Sequence, residues 1–102
     1  MLSAFALALV GTASLAVAGD KPHNVAPANG YVPNEATAIR IAVAVWEPIY
    51  GASKIAEQKP YRARLEKGIW IVEGTLHAEI GGIAVAEIAK SDGRVLRVSH
   101  GR

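Results

Sequence analysis

Tyr61-Arg62-Ala63-Arg64-Leu65-Glu66-Lys67-Gly68-Ile69-Trp70-Ile71-Val72-Glu73 is the stretch that decides the fold of this 102-residue chain. Tyr61, Ala63 and Leu65 alternate with Arg62, Arg64 and Glu66, the period of two that sends successive side chains to opposite faces of a strand. Lys67-Gly68 then forms a two-residue hairpin signal. Folding the chain back at that point sets Leu65 opposite Trp70, Ala63 opposite Val72 and Arg62 opposite Glu73. One face becomes apolar and the other pairs opposite charges. A slip of one residue would destroy both patterns, so the register itself is predicted.

The same period continues downstream. Residues 83–89 read as a third strand, Ser91-Asp92-Gly93 as a turn and 94–99 as a fourth strand. With Gly93 as the bulge residue, Ile88 meets Leu96, Ala86 meets Val98 and Glu87 meets Arg97. The segment His77–Gly82 connects the two hairpins, and Gly81-Gly82 allows a tight entry into the third strand.

Upstream the period changes to that of a helix. Asn34 is a good N-cap, and Glu35 sits at the positive end of the helix dipole. Ile39, Ala42, Val43 and Trp46 follow one buried stripe, with Ile41 and Val45 extending the apolar surface round the helix. A helix that is apolar nearly all round needs cover on more than one side, from its own sheet and from another segment, a second subunit or a partner. Pro48 is expected to end it and Tyr50-Gly51 to make the turn. Residues 52–58 suit a second short helix, with Ser53 as its cap.

Beyond residue 18, seventeen Ile and Val stand against three Leu, a β-rich choice. The prediction is an α+β domain: an N-terminal helix and a short helix packed on a four-stranded antiparallel meander. Its expected core is Ile39, Val43, Trp46, Leu65, Trp70, Val72, Ile88 and Leu96.

Residues 2–18 are apolar or small almost without interruption, and charge begins at Asp20-Lys21. Ala16-Val17-Ala18 has the small-x-small form required for signal cleavage after Ala18, although no Lys or Arg precedes the apolar run. Residues 1–18 are therefore read as a signal peptide, with a retained segment as the alternative. Such a segment is a little shorter than the roughly 20 residues a spanning helix needs, so no stable membrane insertion is expected after cleavage. Residues 19–33, with Gly19, Pro22, Pro27, Gly30 and Pro33, read as a flexible leader, and 34–102 as the folded domain. The expected location is periplasmic or secreted.

All eleven Lys and Arg and all nine Asp and Glu lie beyond residue 18, giving a net charge of +2. That balance is too weak and too mixed to suggest nucleic acid. The absence of cysteine excludes a disulfide framework, a thiolate nucleophile and a thiolate-ligated metal. His23, His77 and His100 fall in the leader, a loop and the tail, with no H-x-x-x-H spacing, and read as solvated. No nucleotide-binding or nucleophile-elbow motif is present. Acid–base chemistry requires a carboxylate or histidine held in an apolar pocket. The best candidates, Glu73 and Glu87, both fall opposite arginines. No catalytic residue, cofactor or metal is assigned. Arg62, Arg64 and Arg97 with Glu73 and Glu87 form either an ordinary solvated sheet face or a docking patch for an acidic partner surface.

Several strings together resemble a known family. These are Tyr31-Val32-Pro33-Asn34-Glu35-Ala36-Thr37-Ala38-Ile39, Trp46-Glu47-Pro48-Ile49-Tyr50-Gly51, Gln58-Lys59-Pro60-Tyr61, Trp70-Ile71-Val72-Glu73-Gly74-Thr75-Leu76, Gly81-Gly82, and Asp92-Gly93-Arg94-Val95-Leu96-Arg97-Val98-Ser99-His100-Gly101. In this order they are similar to the NTF2-fold immunity proteins of bacterial toxin systems. The resemblance implies an NTF2-like or cystatin-like helix-plus-sheet domain that binds and neutralises a cognate toxin by occlusion, without catalysis. The chain is short for a complete cone, which implies a shallow or missing pocket. Export would then place the toxin's action in the periplasm. Two other readings stand beside this one. One is an NTF2-like enzyme or small-ligand carrier using an enclosed pocket. The other is a structural envelope module, with a homodimer built on the apolar helix as one form of it.

Overall fold

A computed structural model describes residues 23–101. The signal segment 1–18, its cleavage site and the first part of the leader lie outside the described residues. Strands β1 (Arg62–Glu66), β2 (Ile69–Glu73), β3 (Ile83–Ala89) and β4 (Val95–Gly101) form one antiparallel sheet in the order β1-β2-β3-β4. The β1–β2 register is the predicted one: Arg62 faces Glu73, Ala63 faces Val72 and Leu65 faces Trp70. Lys67 and Gly68 both have positive φ, 50° and 78°. That is the geometry whose twist matches a two-residue hairpin, and Gly68 adopts it without a Cβ penalty.

The β3–β4 register agrees at two pairs and departs at a third. Ala86 faces Val98 and Glu87 faces Arg97, but Ile88 faces Val95, because the ladder shifts between Glu87 and Ile88. The irregularity therefore lies within the ladder, beside Leu96, and the expected Ile88–Leu96 pair does not form. Gly93 (φ 77°) closes the turn instead, its N–H bonding to Ala89 O.

Helix α1 spans Glu35–Tyr50 and α2 spans Ala52–Ala56. Asn34 caps α1 as predicted, its Oδ1 accepting from Thr37 N–H at 2.9 Å. Pro48 does not end the helix. It sits in the last turn, where a missing N–H costs one bond at most, and the helix runs on until Gly51 N–H bonds back to Glu47 O. Ser53 is not the cap of α2; that position is Gly51, which makes no side-chain cap bond. No helix among the described residues is long and apolar enough to cross a membrane.

The core lies between α1 and one face of the sheet. Trp46, Ile55, Val72, Ala84, Ala86 and Ile88 are fully buried and Trp70 nearly so. Each large apolar side chain removed from water in this way stabilises the fold by roughly 1.5–3 kcal/mol. On α1 the deepest stripe is Ala38, Ala42 and Trp46, and the predicted Ile39 and Val43 flank it half-buried, packed against the core. Leu65 and Leu96 are not core: they are 44% and 43% exposed. Both sit on edge strands; α1 packs mainly across β1, β2 and β3 and meets β4 at its C-terminal end, where Tyr50 lies against His100, leaving Leu96 at the other end uncovered. The flexible-leader reading also extends too far. Val32 is 1% exposed, its N–H bonds to Lys90 O, and its carbonyl accepts from Trp70 Nε1 at 2.8 Å.

One buried polar side chain organises the end of the sheet. Gln58 is 7% exposed, and its Oε1 accepts from Ala84 N–H at 2.8 Å. That bond fixes which end of the amide is oxygen, so the NH2 group faces His100 Nε2, 3.1 Å away, which accepts. A Cβ on Gly74 would collide with the Gln58 side chain, so glycine there makes room for the bond.

Trp70→Ala is expected to lose about 3–5 kcal/mol, a large share of the roughly 5–15 kcal/mol available to a domain. Leu65→Ala and Leu96→Ala should each cost about 1 kcal/mol or less, since half of each side chain is already in water. Thermal melts read both, and a Trp70→Ala protein melting within a few degrees of wild type would contradict its place in the core. Gln58→Leu should cost about 1–3 kcal/mol by leaving the Ala84 N–H unpaired, and urea denaturation with unchanged m-value checks it.

Candidate functional site

Alternation along the strands divides the sheet into two chemistries. The face away from α1 carries Arg62, Arg64 and Glu66 from β1, Ile69, Ile71 and Glu73 from β2, Ile83, Val85 and Glu87 from β3, and Arg97 and Ser99 from β4. Cross-strand pairing arranges them in rows. One row reads Arg64, Ile71, Glu87, Arg97, and the next reads Arg62, Glu73, Val85, Ser99. Half-buried isoleucine and valine thus form a strip down the middle, with charge at its sides.

All five predicted partner-contact residues, Arg62, Arg64, Glu73, Glu87 and Arg97, lie on this face. They do not make it basic. Glu73 Oε1 lies 3.8 Å from Arg62 and 3.6 Å from Arg64, Arg64 Nε bonds Glu66 at 2.8 Å, and Arg97 meets Glu87 at 3.3 Å. The hydrogen bond to Glu66 holds the Arg64 guanidinium above its ordinary pKa against an opposing desolvation, and the charges of Glu66 and Glu73 add to it. Three cations and three anions therefore share one surface. Its hollows are shallow and open; one of about 430 Å³ is lined by Arg64, Ile71, Val85, Glu87, Arg97 and Ser99 among others.

Two histidines are more engaged than a solvated reading expects. His77 Nε2 donates to Lys59 O at 2.6 Å, beside the cis Lys59–Pro60 bond. His100 lies within β4, half-buried, accepting from Gln58 and packed against the Tyr50 ring at 4.9 Å between centroids. His23 remains exposed in the leader. Tyr61 donates its hydroxyl to Ile55 O at 2.9 Å, and burial, then the nearby Glu47 charge, push its phenol up from the ordinary value. Among the described residues no group of three or more His, Asp or Glu converges as a metal site would. Glu73 and Glu87, the two carboxylates best placed for acid–base work by sequence, each meet arginine.

The sequence profile of the NTF2 fold immunity proteins matches residues 37–102, which is α1 from its third residue, α2, the whole sheet and the face just described. This chain belongs to the NTF2 fold immunity protein family. Its two helices on an open four-stranded antiparallel sheet are consistent with an NTF2-like domain. The uncharacterized protein YhhH of Escherichia coli (strain K12) is 38% identical over 73 residues, covering 70% of this chain and 58% of YhhH. The chain thus matches little more than half the length of that relative. No solved structure matches.

Within this immunity-family domain, sequence reasoning found the face but not Gln58, Val32 or the engagement of His100. Each of those acts through a partner more than 25 positions away, at separations of 26, 38 and 42 residues, and no local pattern reports that. The charged pairs of the face are exposed enough to contribute little to folding. Glu73→Gln and Arg97→Gln are each expected to change stability by no more than about 1 kcal/mol. A loss of several kcal/mol in urea denaturation would show instead that these pairs hold the sheet together.

Proposed function

We propose that this protein binds a cognate bacterial toxin across the outer face of its sheet and neutralises it by occlusion, without catalysis. The observation that carries the reading is family membership over residues 37–102, which contain that entire face. Ile71 and Val85 would supply the centre of the contact. Arg62, Arg64, Glu73, Glu87 and Arg97 would form its rim, exchanging some of their internal pairs for pairs with the toxin. A half-apolar centre with charged margins has the anatomy of a protein–protein contact. An enzyme or ligand carrier would call for an enclosed pocket with a few converging polar groups, and the hollows on this face are open.

Export completes the proposal. Residues 1–18 would act as a signal peptide cleaved after Ala18, and the mature protein would meet its toxin in the periplasm or outside the cell. An immunity protein has to be present where its toxin acts.

The test is a C-terminally tagged full-length gene expressed in the native organism. Affinity purification should recover one large protein in near-stoichiometric amount. That protein should be toxic in a second host unless this chain is co-expressed. Ile71→Arg should weaken the complex at least tenfold, about 1.4 kcal/mol, while leaving the melting curve of the free protein close to wild type. Recovery of no protein whose toxicity this chain suppresses would overturn the reading. Mass spectrometry of the periplasmic fraction should find an N-terminus at Gly19, and finding the protein only in the cytoplasm would overturn the export step alone.

A further inference from the structure

The sheet is open, and its two edges are not alike. An edge strand turns alternate N–H and C=O groups away from its neighbour and can template another strand unless something blocks it. β1 is blocked: it has five residues, three of them charged, follows Pro60, and packs against α1 over part of its inner side. Its Arg64–Glu66 bridge runs along the strand. β4 has seven residues, no proline and one Arg or Lys, Arg97. α1 reaches its inner side only near His100, through Tyr50; at the other end Val95 and Leu96 are large apolar side chains left 40% and 43% exposed, with Val98, half-buried against the core, next to them. No described residue pairs with its outer edge.

We propose that this edge pairs with β4 of a second copy of the same chain, antiparallel about a two-fold axis through Val98, giving one eight-stranded sheet. The occupant follows from what the strand presents to itself. Centred on Val98, the pairing sets Val98 against Val98, Arg97 against Ser99 and Leu96 against His100 of the other copy. Every pair joins side chains on the same face, as sheet continuity demands. Apolar meets apolar or an imidazole, and the only strong charge meets a hydroxyl. Centring one residue earlier would set Arg97 directly against Arg97. Arg97 is also already neutralised by its own Glu87 at 3.3 Å, so drawing two copies together brings no unpaired charge into the seam. The ladder irregularity at Leu96 lies at one end of β4, so Arg97, Val98 and Ser99 form the regular centre of the seam and the Leu96–His100 pairs its margins. A two-fold axis perpendicular to the sheet puts both outer faces on the same side. The inference does not depend on the toxin reading.

The cysteine-free chain makes the test direct. Sedimentation of the full chain, as the cell makes it, should give a dimer at micromolar concentration. Leu96→Lys should shift it to monomer with an unchanged circular dichroism spectrum. Leu65→Lys, equally exposed but on the other edge, should remain dimeric. Val98→Cys should form a disulfide-linked dimer on mild oxidation, since directly opposed residues lie about 4.5–5.5 Å apart between Cα atoms, within disulfide reach. If Leu96→Lys fails to fold, this cross-link decides alone. A wild-type monomer at 100-fold higher concentration, a dimer unaffected by a folded Leu96→Lys, or no Val98→Cys cross-link would each overturn the proposal. A monomer whose β4 amides are protected from hydrogen exchange would assign the edge to residues 1–22 of the same chain, and overturn it as well.

Discussion

The indole N–H of Trp70 donates to the carbonyl oxygen of Val32 at 2.8 Å inside the apolar layer between helix and sheet. Much else depends on that contact. It holds the chain ahead of α1 against the sheet, and the same Val32 residue bonds through its N–H to Lys90, at the far end of β3. One residue therefore ties the approach to the helix, the centre of β2 and the β3–β4 turn together. Trp70 can make the bond only because the Lys67-Gly68 turn puts it on the inner face. A register shifted by one would turn the indole outward and expose its whole apolar area. For a chain without disulfides, a correct register in one hairpin is thus a condition for the core, and not only a detail of the sheet.

That condition explains what was legible in the sequence. The hairpin register could be read because two independent patterns, apolar with apolar and charge with charge, agreed at one alignment and at no neighbouring one. The α1 cap, the strand order and the Glu87–Arg97 pair were legible for the same kind of reason: each is local or is constrained by a neighbouring turn. Leu65 and Leu96 were misread because periodicity reports which face a side chain points to, not whether anything lies across from it. Both do follow the apolar period of their strands, but a helix of about 10 Å diameter covers only two or three strands spaced at about 4.8 Å, here β1 to β3, so Leu96 on β4 has little across from it, and Leu65 stands at the hairpin end of β1, beside the Lys67-Gly68 turn. Gln58 was invisible for a different reason. It completes a ladder bond that β2 cannot supply to Ala84, and it does so from a segment that reads only as a short polar helix end.

The site was legible in part. Its five charged residues were picked out from alternation, and they share a face. What alternation could not show is that their charges balance. Three arginines on one sheet face, two from β1 and one from β4, look basic in sequence, yet each guanidinium reaches a carboxylate on the same or the adjacent strand. A balanced face of this kind supplies little non-specific attraction. It favours a partner whose own charges can replace the internal pairs in the right geometry, and penalises one that leaves any of them unmatched. Fold membership alone would not have indicated this.

The separation of the two faces carries a consequence for how such a protein can change partners. Stability resides in Trp70, Val72, Ala84, Ala86 and Ile88, which all point toward α1, while the residues alternating with them point to solvent and form the ion-paired face. Because adjacent positions in a strand face opposite ways, a substitution at Ile71 or Glu87 need not disturb Trp70 or Ile88 beside it. The exposed pairs contribute little to folding, so the face can be rewritten residue by residue at small cost to a domain with little stability to spare. A surface required to match one particular toxin is best placed there. The edges of the sheet differ: β1 packs against α1 and carries three charges, whereas β4 carries apolar side chains that its own fold does not bury.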